Sequence, residues 1–269
     1  MIHPTAVIHP DAQLGTNVTI GAYVVIEGPA RIGDGCTIHA HAVITGHVAM
    51  GNDNVVGHGA FIGGDPQDFT FRSEVESTVQ IGDGNKIREY ATIHRGTSNG
   101  SHTLIGSHCF LMGGAHVAHN CRVGDRVILA NNVLLGGHVI VEDRVFVGGG
   151  CALHQHIRIG ELAICQGGSV FSKDIPPFCI AAGRNGVAGL NVIGLRRAGL
   201  TGAERAEIKA AFALLYRSGF NVRQALATAK ERTWGPHATD FWAFVSTAGK
   251  RGLCDLLATR GGDPAADEG

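Results

Sequence analysis

The stretch "VILANNVLLGGHVIVEDRVFV", residues 127–147, indicates the fold most directly because its aliphatic side chains return every six residues. This period is marked by Leu129, Leu135, Val141 and Val147. A valine stands two positions before each of the four. An α-helix repeats every 3.6 residues and a flat strand every two, so neither accounts for a period of six. Three such hexads instead form one triangular coil of a left-handed parallel β-helix.

The same period extends through most of the chain. Steps of six from Ile2 remain apolar as far as Ile62, and steps from Ile81 run to Phe171 with Asn99 as their one polar member. Residues 63–78, "GGDPQDFTFRSEVEST", break the phase and are predicted to form an insertion loop. We therefore expect an all-β, left-handed parallel β-helix of about nine coils over residues 1–178.

A small helical domain is expected to follow at residues 179–259. Two prolines in "KDIPPF", residues 173–178, cannot continue a ladder of strands. Thr201 followed by Glu204 forms a capping box at the start of a helix, and further helices are predicted at 221–232 and 237–249. The polar residues 260–269 are expected to be disordered.

Composition narrows the functional classes. A net charge of −1 argues against a nucleic-acid partner, and the lack of an apolar N-terminal run predicts a cytoplasmic protein without stable membrane insertion. Five of the seven cysteines fall on interior positions of the repeat, which favours buried thiols over disulfides or zinc ligands. Residues 196–251 carry ten Lys and Arg against four Asp and Glu, which fits either solvated helix faces or a dock for an acidic partner.

The step of three hexads stacks polar residues along one edge of the predicted prism. The segments "AHN" (118–120), "GGH" (136–138) and "HQH" (154–156) then lie above one another, with His119 over Gly137 and Gln155. Histidine is the usual general base near neutral pH, and a glycine N–H can approach a developing oxyanion. Two alternatives are a zinc site, which would need three such ligands, and a merely solvated edge. Five histidines share this edge: His116, His119, His138, His154 and His156.

Several long motifs occur in an order that resembles the UDP-N-acetylglucosamine 3-O-acyltransferases. The resemblance extends over nearly the whole chain, whereas other hexapeptide acetyltransferases share only the repeat. Its motifs are "GGDPQD" (63–68), "IREYATIHRGT" (87–97), "AHVAHNC" (115–121), "ILANNVLLGGHV" (128–139), "LHQH" (153–156), "DIPPF" (174–178), "GLNVIGLRR" (189–197) and "LLYRSG" (214–219).

The resemblance implies a homotrimer with active sites between neighbouring prisms. Such an enzyme transfers a 3-hydroxyacyl chain from acyl carrier protein to the glucosamine 3-position of a UDP-sugar, at the start of lipid A synthesis. It implies no cofactor beyond the phosphopantetheine thioester of the donor, and no metal. By the same resemblance His119 is the general base, Gly137 the oxyanion donor, and Gly167 a limit on acyl length. The remaining implied substrate-binding residues are Gln67, Asp68, His94, His116, Asn120, His138, His154, Gln155, Asn191 and Arg197.

Four positions depart from the family pattern. Asn120 follows the base where an Asp is usual, and Thr70 replaces a cation on the insertion. Ile193 and Ala198 stand where an acidic residue and an Arg are common. These departures leave open a 3-amino UDP-sugar acceptor or a divergent paralogue. Three other functions are a zinc carbonic anhydrase, a non-catalytic solenoid and an N-acyltransferase. The N-acyltransferases carry an extra N-terminal domain, and the repeats of this sequence, which begin at residue 2, are expected to leave no room for it.

Overall fold

The computed structural model describes residues 1–257, so the predicted disordered tail lies outside the described residues. Most strands are two residues long because each spans one side of a triangle. The first fourteen are β1 (Val7–Ile8), β2 (Gln13–Leu14), β3 (Thr19–Ile20), β4 (Val25–Ile26), β5 (Arg31–Ile32), β6 (Thr37–Ile38), β7 (Val43–Ile44), β8 (Val48–Met50), β9 (Val55–Val56), β10 (Phe61–Gly64), β11 (Thr78–Ile81), β12 (Lys86–Ile87), β13 (Thr92–His94) and β14 (His102–Ile105). The others are β15 (Phe110–Leu111), β16 (His116–Val117), β17 (Arg122–Val123), β18 (Ile128–Leu129), β19 (Leu134–Leu135), β20 (Ile140–Val141), β21 (Phe146–Val147), β22 (Ala152–Leu153), β23 (Arg158–Ile159), β24 (Ile164–Cys165), β25 (Val170–Phe171), β26 (Cys179–Ala182), β27 (Gly186–Leu190) and β28 (Asp255–Leu256).

Every third strand of the coils belongs to the same parallel sheet, which gives the prism three faces. The first face runs from β1 to β25 with nine strands, the second from β2 to β23 with eight, and the third begins at β3. Paired residues such as Val7 and Val25 are separated by three hexads, which is one coil. The chain passes from the first face to the second at the first corner, from the second to the third at the second corner, and back at the third corner. The predicted left-handed parallel β-helix is confirmed.

The hexad positions fill the interior of the prism. Leu129, Leu135 and Val147 are completely buried, and the smaller residues two positions before them are buried as well. All seven cysteines are buried and free, as their repeat positions predict. Burying a column of aliphatic side chains stabilises each coil by about 25 cal/mol per Å² of apolar surface removed from water.

Two excursions interrupt the coils, and both leave from the first corner. The first joins β10 to β11 through residues 65–77, close to the predicted loop at 63–78. The second, residues 95–101, joins β13 to β14, and it lengthens the separation of the paired residues Thr92 and His116 by one hexad. The prediction that the coils continue through Asn99 was therefore wrong. The second excursion adds one hexad to the chain, so it leaves the phase of the six-residue repeat unchanged and the repeat gives no sign of it.

The sheet continues past the predicted boundary at residue 178. Strand β26 pairs in parallel with β24, and β27 returns antiparallel to β26, so the third face extends to Leu190. The prolines do not stop it because Pro177 lies outside the strands, at a corner, packed against Gly160.

In the part of the chain that the structure describes, four helices follow the last coil. The capping box of Thr201 and Glu204 is present at the start of α2, as predicted. No pattern in the sequence signalled the short helix α1, and the predicted ends of α3 and α4 were up to three residues too late. The helices are α1 (Val192–Arg197), α2 (Gly202–Tyr216), α3 (Val222–Ala229) and α4 (Pro236–Ser246).

Candidate active site

A groove of about 740 Å³ runs along the first face. It begins at Gln67 on the first excursion, passes His119 at the first corner, and ends at Arg184 in the turn after β26. Its lining changes from imidazoles at one end to aliphatic strand residues at the other. The remaining lining residues are His94, His116, Ala118, Leu134, Leu135, Gly136, Gly137, Ala152, Leu153, His154, Gln155, Val170, Phe171, Ser172 and Asn185.

The predicted stacking of His119 on Gly137 is present. The backbone N–H of His138 donates to the carbonyl of His119, and that of His156 donates to the carbonyl of Gly137, at 3.0 Å each. A Cβ added to Gly137 would lie 2.6 Å from Nε2 of His119, so only glycine leaves space for the imidazole. Within residues 1–257 no backbone group accepts the N–H of Gly137. A ring nitrogen and a backbone donor without a backbone acceptor therefore lie close together in the groove.

Asn120 decides which nitrogen of His119 carries the proton. Its Oδ1 accepts from the backbone N–H and the hydroxyl of Thr97, at 3.2 and 3.0 Å, so this atom acts as an acceptor. Nδ1 of His119 lies 3.0 Å from the same oxygen and must therefore donate to it. The neutral ring then has an unprotonated Nε2, which is the form a general base requires.

The neighbouring imidazoles are held in the neutral state. Burial, and then the charges of His116 and His119, lower the pKa of His94 to about 4. Burial also lowers the pKa of His116, whose Nδ1 lies 2.7 Å from the hydroxyl of Thr92. Burial and the neighbouring His156 lower the pKa of His138, whose ring stacks on His156 with centroids 4.5 Å apart. Burial therefore favours the neutral form of these three rings beside His119.

The first excursion brings a carboxylate to this region. Oδ1 of exposed Asp68 accepts from the backbone N–H and the hydroxyl of Thr70, at 2.8 Å each. These bonds lower the pKa of Asp68, and the nearby charge of His119 lowers it slightly further. Thr70, which departs from the family pattern, thus orients Asp68.

Comparison with known proteins agrees with this geometry. Residues 174–254 match the model of Udp N-acetylglucosamine O-acyltransferase, domain 2, and residues 29–64 and 102–137 match the bacterial transferase hexapeptide. A protein of Paraburkholderia phymatum named acyl-[acyl-carrier-protein]–UDP-N-acetylglucosamine O-acyltransferase is 42% identical over 86% of this chain and 88% of its own. The chain belongs to this acyltransferase family.

Solved structures lead to the same family. A UDP-N-acetylglucosamine acyltransferase from Bacteroides fragilis, LpxA, superposes with a TM-score of 0.89 at 38% identity, over 94% of this chain and 99% of the other. The enzyme from Campylobacter jejuni gives 0.90 at 36% identity, over 96% and 100%. The family recognised from the motifs is confirmed, and the protein is an acyltransferase. Relatives named for UDP-N-acetylglucosamine do not favour the 3-amino sugar or carbonic anhydrase alternatives.

The other substrate-binding residues that the resemblance implies either lie at the groove or lie away from it. His154 and Gln155 line the groove, and His138 lies behind His119 with ring centroids 5.3 Å apart. The other three, Gly167, Asn191 and Arg197, do not line the groove of their own chain.

Asn191 joins the start of α1 to the last coils of the prism. It caps α1 through Oδ1, which accepts from Gly194, and its Nδ2 donates to the carbonyl of Leu162. Arg197 is exposed in the last turn of α1, and Gly167 packs on the carbonyl of Gly149 at the third corner. Their substrate roles stay predictions for a site completed by a second copy of the chain.

Sequence reasoning missed the residues that support the site. Thr97 holds Asn120, and the buried hydroxyl of Thr103 accepts the backbone N–H of Asn120 at 2.8 Å. Arg184 lies beyond the last regular hexad, so no repeat arithmetic places it. The apolar wall of the groove carried a signal that could have been used, since Leu134, Ala152 and Val170 follow one another at steps of one coil on one face.

The described residues offer neither a metal cluster nor a membrane-spanning helix. No group of three or more His, Cys, Asp or Glu is arranged to hold a metal ion within residues 1–257. Over the same residues, every helix is too short or too polar to cross a membrane.

Proposed function

We propose that the protein transfers a 3-hydroxyacyl chain from acyl carrier protein to the 3-hydroxyl of UDP-N-acetylglucosamine, the first step of lipid A biosynthesis. The observation that carries the proposal is the contact between His119 and Gly137, which places the unprotonated Nε2 beside a glycine whose N–H has no backbone acceptor. Acyl transfer from a thioester needs a base and an oxyanion donor at one tetrahedral centre, and needs no metal or covalent intermediate.

The reaction takes two proton transfers through one ring. Nε2 of His119 removes the proton of the sugar 3-hydroxyl while that oxygen attacks the thioester carbonyl, and the N–H of Gly137 stabilises the oxyanion. The C–S bond then breaks, and the imidazolium returns its proton to the leaving thiolate of phosphopantetheine. Asn120 keeps the ring in place through Nδ1, but a neutral amide does not stabilise imidazolium as a carboxylate would.

The two ends of the groove suit the two substrates. Gln67 lines the imidazole end of the groove, where it can exchange hydrogen bonds with the hydroxyls of a sugar, and the neighbouring Asp68 adds a carboxylate near His119. Leu134, Ala152 and Val170 form an apolar strip that suits the acyl chain, and Arg184 bounds it at the far end. A groove with one polar and one apolar half orients the thioester carbonyl between them, at His119.

We further propose that three copies of the chain assemble through two faces of the prism. The third face presents an outward ladder of Phe110, Ile128, Phe146 and Ile164, paired in successive coils. A soluble monomer rarely exposes a contiguous apolar strip of this length. Contact between the third face of one copy and the first face of the next is heterologous and closes a ring. Such a ring would bring Asn191, Arg197 and Gly167 of one copy toward the groove of another.

Matched surface substitutions test the trimer. Phe146 and Ile140 are exposed to 37% and 36%, but Phe146 lies on the third face and Ile140 on the second. Phe146→Asp is expected to lower the light-scattering mass from three times 28.1 kDa towards one, while Ile140→Asp leaves it unchanged. A wild-type mass of 28.1 kDa would contradict the assembly.

The helical region suits the acidic carrier protein as the acyl donor. Arg205, Lys209 and Arg217 line a groove between α1 and α2 whose floor includes Leu195 and Phe212. Cationic rims around apolar floors bind acidic helices by charge steering and burial. We place the enzyme in the cytoplasm, together with this donor.

Mass spectrometry of products tests the reaction itself. The purified protein is incubated with UDP-N-acetylglucosamine and a panel of 3-hydroxyacyl carrier proteins of different chain lengths. We expect one acylated UDP-sugar, with turnover lowered at least ~100-fold in His119→Ala because the general base is lost. A His119→Ala enzyme with wild-type turnover would refute the mechanism, and absence of acylated product with every donor would refute the function.

A further inference from the structure

Arg95 is a fully buried cation that the reaction scheme does not use. It follows β13 in the "HRGT" motif, and only 2% of its side chain is exposed. A guanidinium is almost never buried unless carboxylates and carbonyls satisfy its five N–H groups. Its partners therefore reveal what this charge does.

All of its side-chain partners lie on the first excursion. Nε donates to Oδ1 of Asp65 at 2.8 Å, near the start of the loop. Nη2 donates to the carbonyl of Ser73 at 3.1 Å, and Nη1 donates to the carbonyl of Val75 and to the hydroxyl of Ser77. One side chain thus joins the two ends of the loop, and its carbon CZ also lies 4.8 Å from the centre of the Phe71 ring.

Within residues 1–257, Arg95 alone joins loop residues 65–75 by hydrogen bonds to the chain outside the excursion. The loop's remaining bonds are internal, such as those between Asp68 and Thr70. Glu76 and Ser77 are the first residues anchored independently, by Asn99 and Gly96 of the second excursion.

We propose that Arg95 is a positioning residue that fixes the 65–77 loop so that Gln67 and Asp68 face the acceptor sugar. The inference rests on the proposed function only for the identity of that sugar. Arg95 itself does not line the groove, so it acts through the loop and not by contact with substrate. The second excursion then serves both substrate and base, since Arg95 holds the loop and Thr97 holds Asn120 beside His119.

Because the partners of Arg95 lie on the loop, removal of the guanidinium is expected to free the loop and leave the prism folded. The carboxylate of Asp65 is 58% exposed, and Ser73 lies at the surface, so water can satisfy both after Arg95 is replaced. In the variant Arg95→Met, the methionine side chain fills part of the space that the guanidinium leaves and keeps a contact with Phe71 possible. Arg72, exposed on the same loop, supplies a trypsin site that reports on loop order.

The experiment compares Arg95→Met with Arg126→Met, which removes an exposed arginine at the second corner. For Arg95→Met we expect the KM for UDP-N-acetylglucosamine to rise about 10-fold or more, with the KM for the acyl carrier protein unchanged, because only the sugar-facing loop is released. Trypsin should cleave after Arg72 about 10-fold faster, since the open loop becomes the dominant state. Arg126→Met should match wild type in both readouts, and Arg95→Lys, which keeps one bond to Asp65, should fall between.

Unchanged sugar KM and unchanged cleavage in Arg95→Met would overturn the proposal. If Arg95→Met does not fold, Asp65→Ala removes one partner from the exposed side and should give the same changes at smaller size, with wild-type values again overturning it. Cleavage after Arg72 needs no turnover, so it tests the loop even if the acyltransferase assay fails. An inactive wild type with faster cleavage in Arg95→Met would refute the function and retain the role of Arg95.

Discussion

The first and second corners of the prism are built from the same repeat but use their polar residues in opposite ways. At the second corner a column of side chains caps the coil before it: Oδ1 of Asp34 accepts the N–H of Thr16, and Asp125 and Asp143 accept those of Ser107 and Asp125, at 2.6 to 2.9 Å. At the first corner Gly137 places no side chain on the coil before it, and His119 occupies the space.

The difference shows how a uniform repeat produces one reactive place. At the second corner each of these carboxylates accepts a backbone N–H of the coil before it, so these side chains serve the fold. At the first corner Nε2 of His119 and the N–H of Gly137 keep their hydrogen-bonding capacity. Substitutions that disturb His119 or Gly137 at the first corner should therefore change turnover, and those of the capping residues at the second corner should change stability.

The largest effect is expected from Gly137→Ala. Its new Cβ would lie 2.3 Å from Cε1 of His119, so the imidazole must move away from the oxyanion donor. We expect turnover to fall about 100- to 1,000-fold, the loss typical of a misaligned oxyanion hole, with an unchanged melting temperature.

The matched change at the second corner is Gly124→Ala, where the Cβ would meet Asp143. It should lower stability by about 1–3 kcal/mol and retain activity per folded enzyme. Equal activity losses in the two variants would remove the distinction.

A pH-dependent effect should follow from the neutral His94 at the first corner. Its pKa is lowered to about 4 by burial, against about 6.5 in the unfolded chain. The stabilisation by the neutral ring is complete above pH 6.5 and is lost as pH falls toward 4, because the unfolded state binds the proton first. This loss amounts to about 3 kcal/mol at 1.36 kcal/mol per pKa unit. Urea unfolding of wild type and His94→Gln at pH 7.5 and 4.5 measures it. An equal pH dependence in the two proteins would contradict the buried neutral state.

A smaller effect is expected from Asn120→Ala. Without the acceptor for Nδ1, the ring of His119 loses its fixed tautomer, and kcat should fall about 10-fold or more with little change in either KM. Asn120→Asp provides the opposite test, because a carboxylate stabilises imidazolium. The acid limb of its pH–rate profile should move to higher pH. Steady-state kinetics between pH 5 and 9 distinguishes the three enzymes, and identical profiles would show that Asn120 does not orient the base.

The smallest effect is expected from Asp125→Ala at the second corner. It removes an exposed side-chain acceptor from the N–H of Ser107, a bond of 2.7 Å. The free energy of unfolding should drop by about 1 kcal/mol, as water replaces the carboxylate. Turnover should stay at the wild-type level, and a clear loss of kcat would place the second corner within the reaction.

Much of the candidate site was predictable because each coil contains a fixed number of residues. Three hexads separate Gly137 from both His119 and Gln155, so their order in the column needed no coordinates. The residues that support the site escaped this rule. Thr97 reaches Asn120 and Arg95 reaches Asp65 across separations that are not a whole number of coils. Such contacts arise where the chain leaves the coils.

The amino-acid sequence alone specifies the coil, the inward hexad positions and the column that contains His119, because a period of six admits one way of burying its aliphatic side chains. The two excursions at the first corner depend instead on three-dimensional contacts. An insertion of one hexad is invisible to a repeat of six, and the path of a loop depends on which side chains close it. Thr97 orients Asn120 and thereby sets the proton on Nδ1 of His119, and Arg95 holds the loop that carries Asp68.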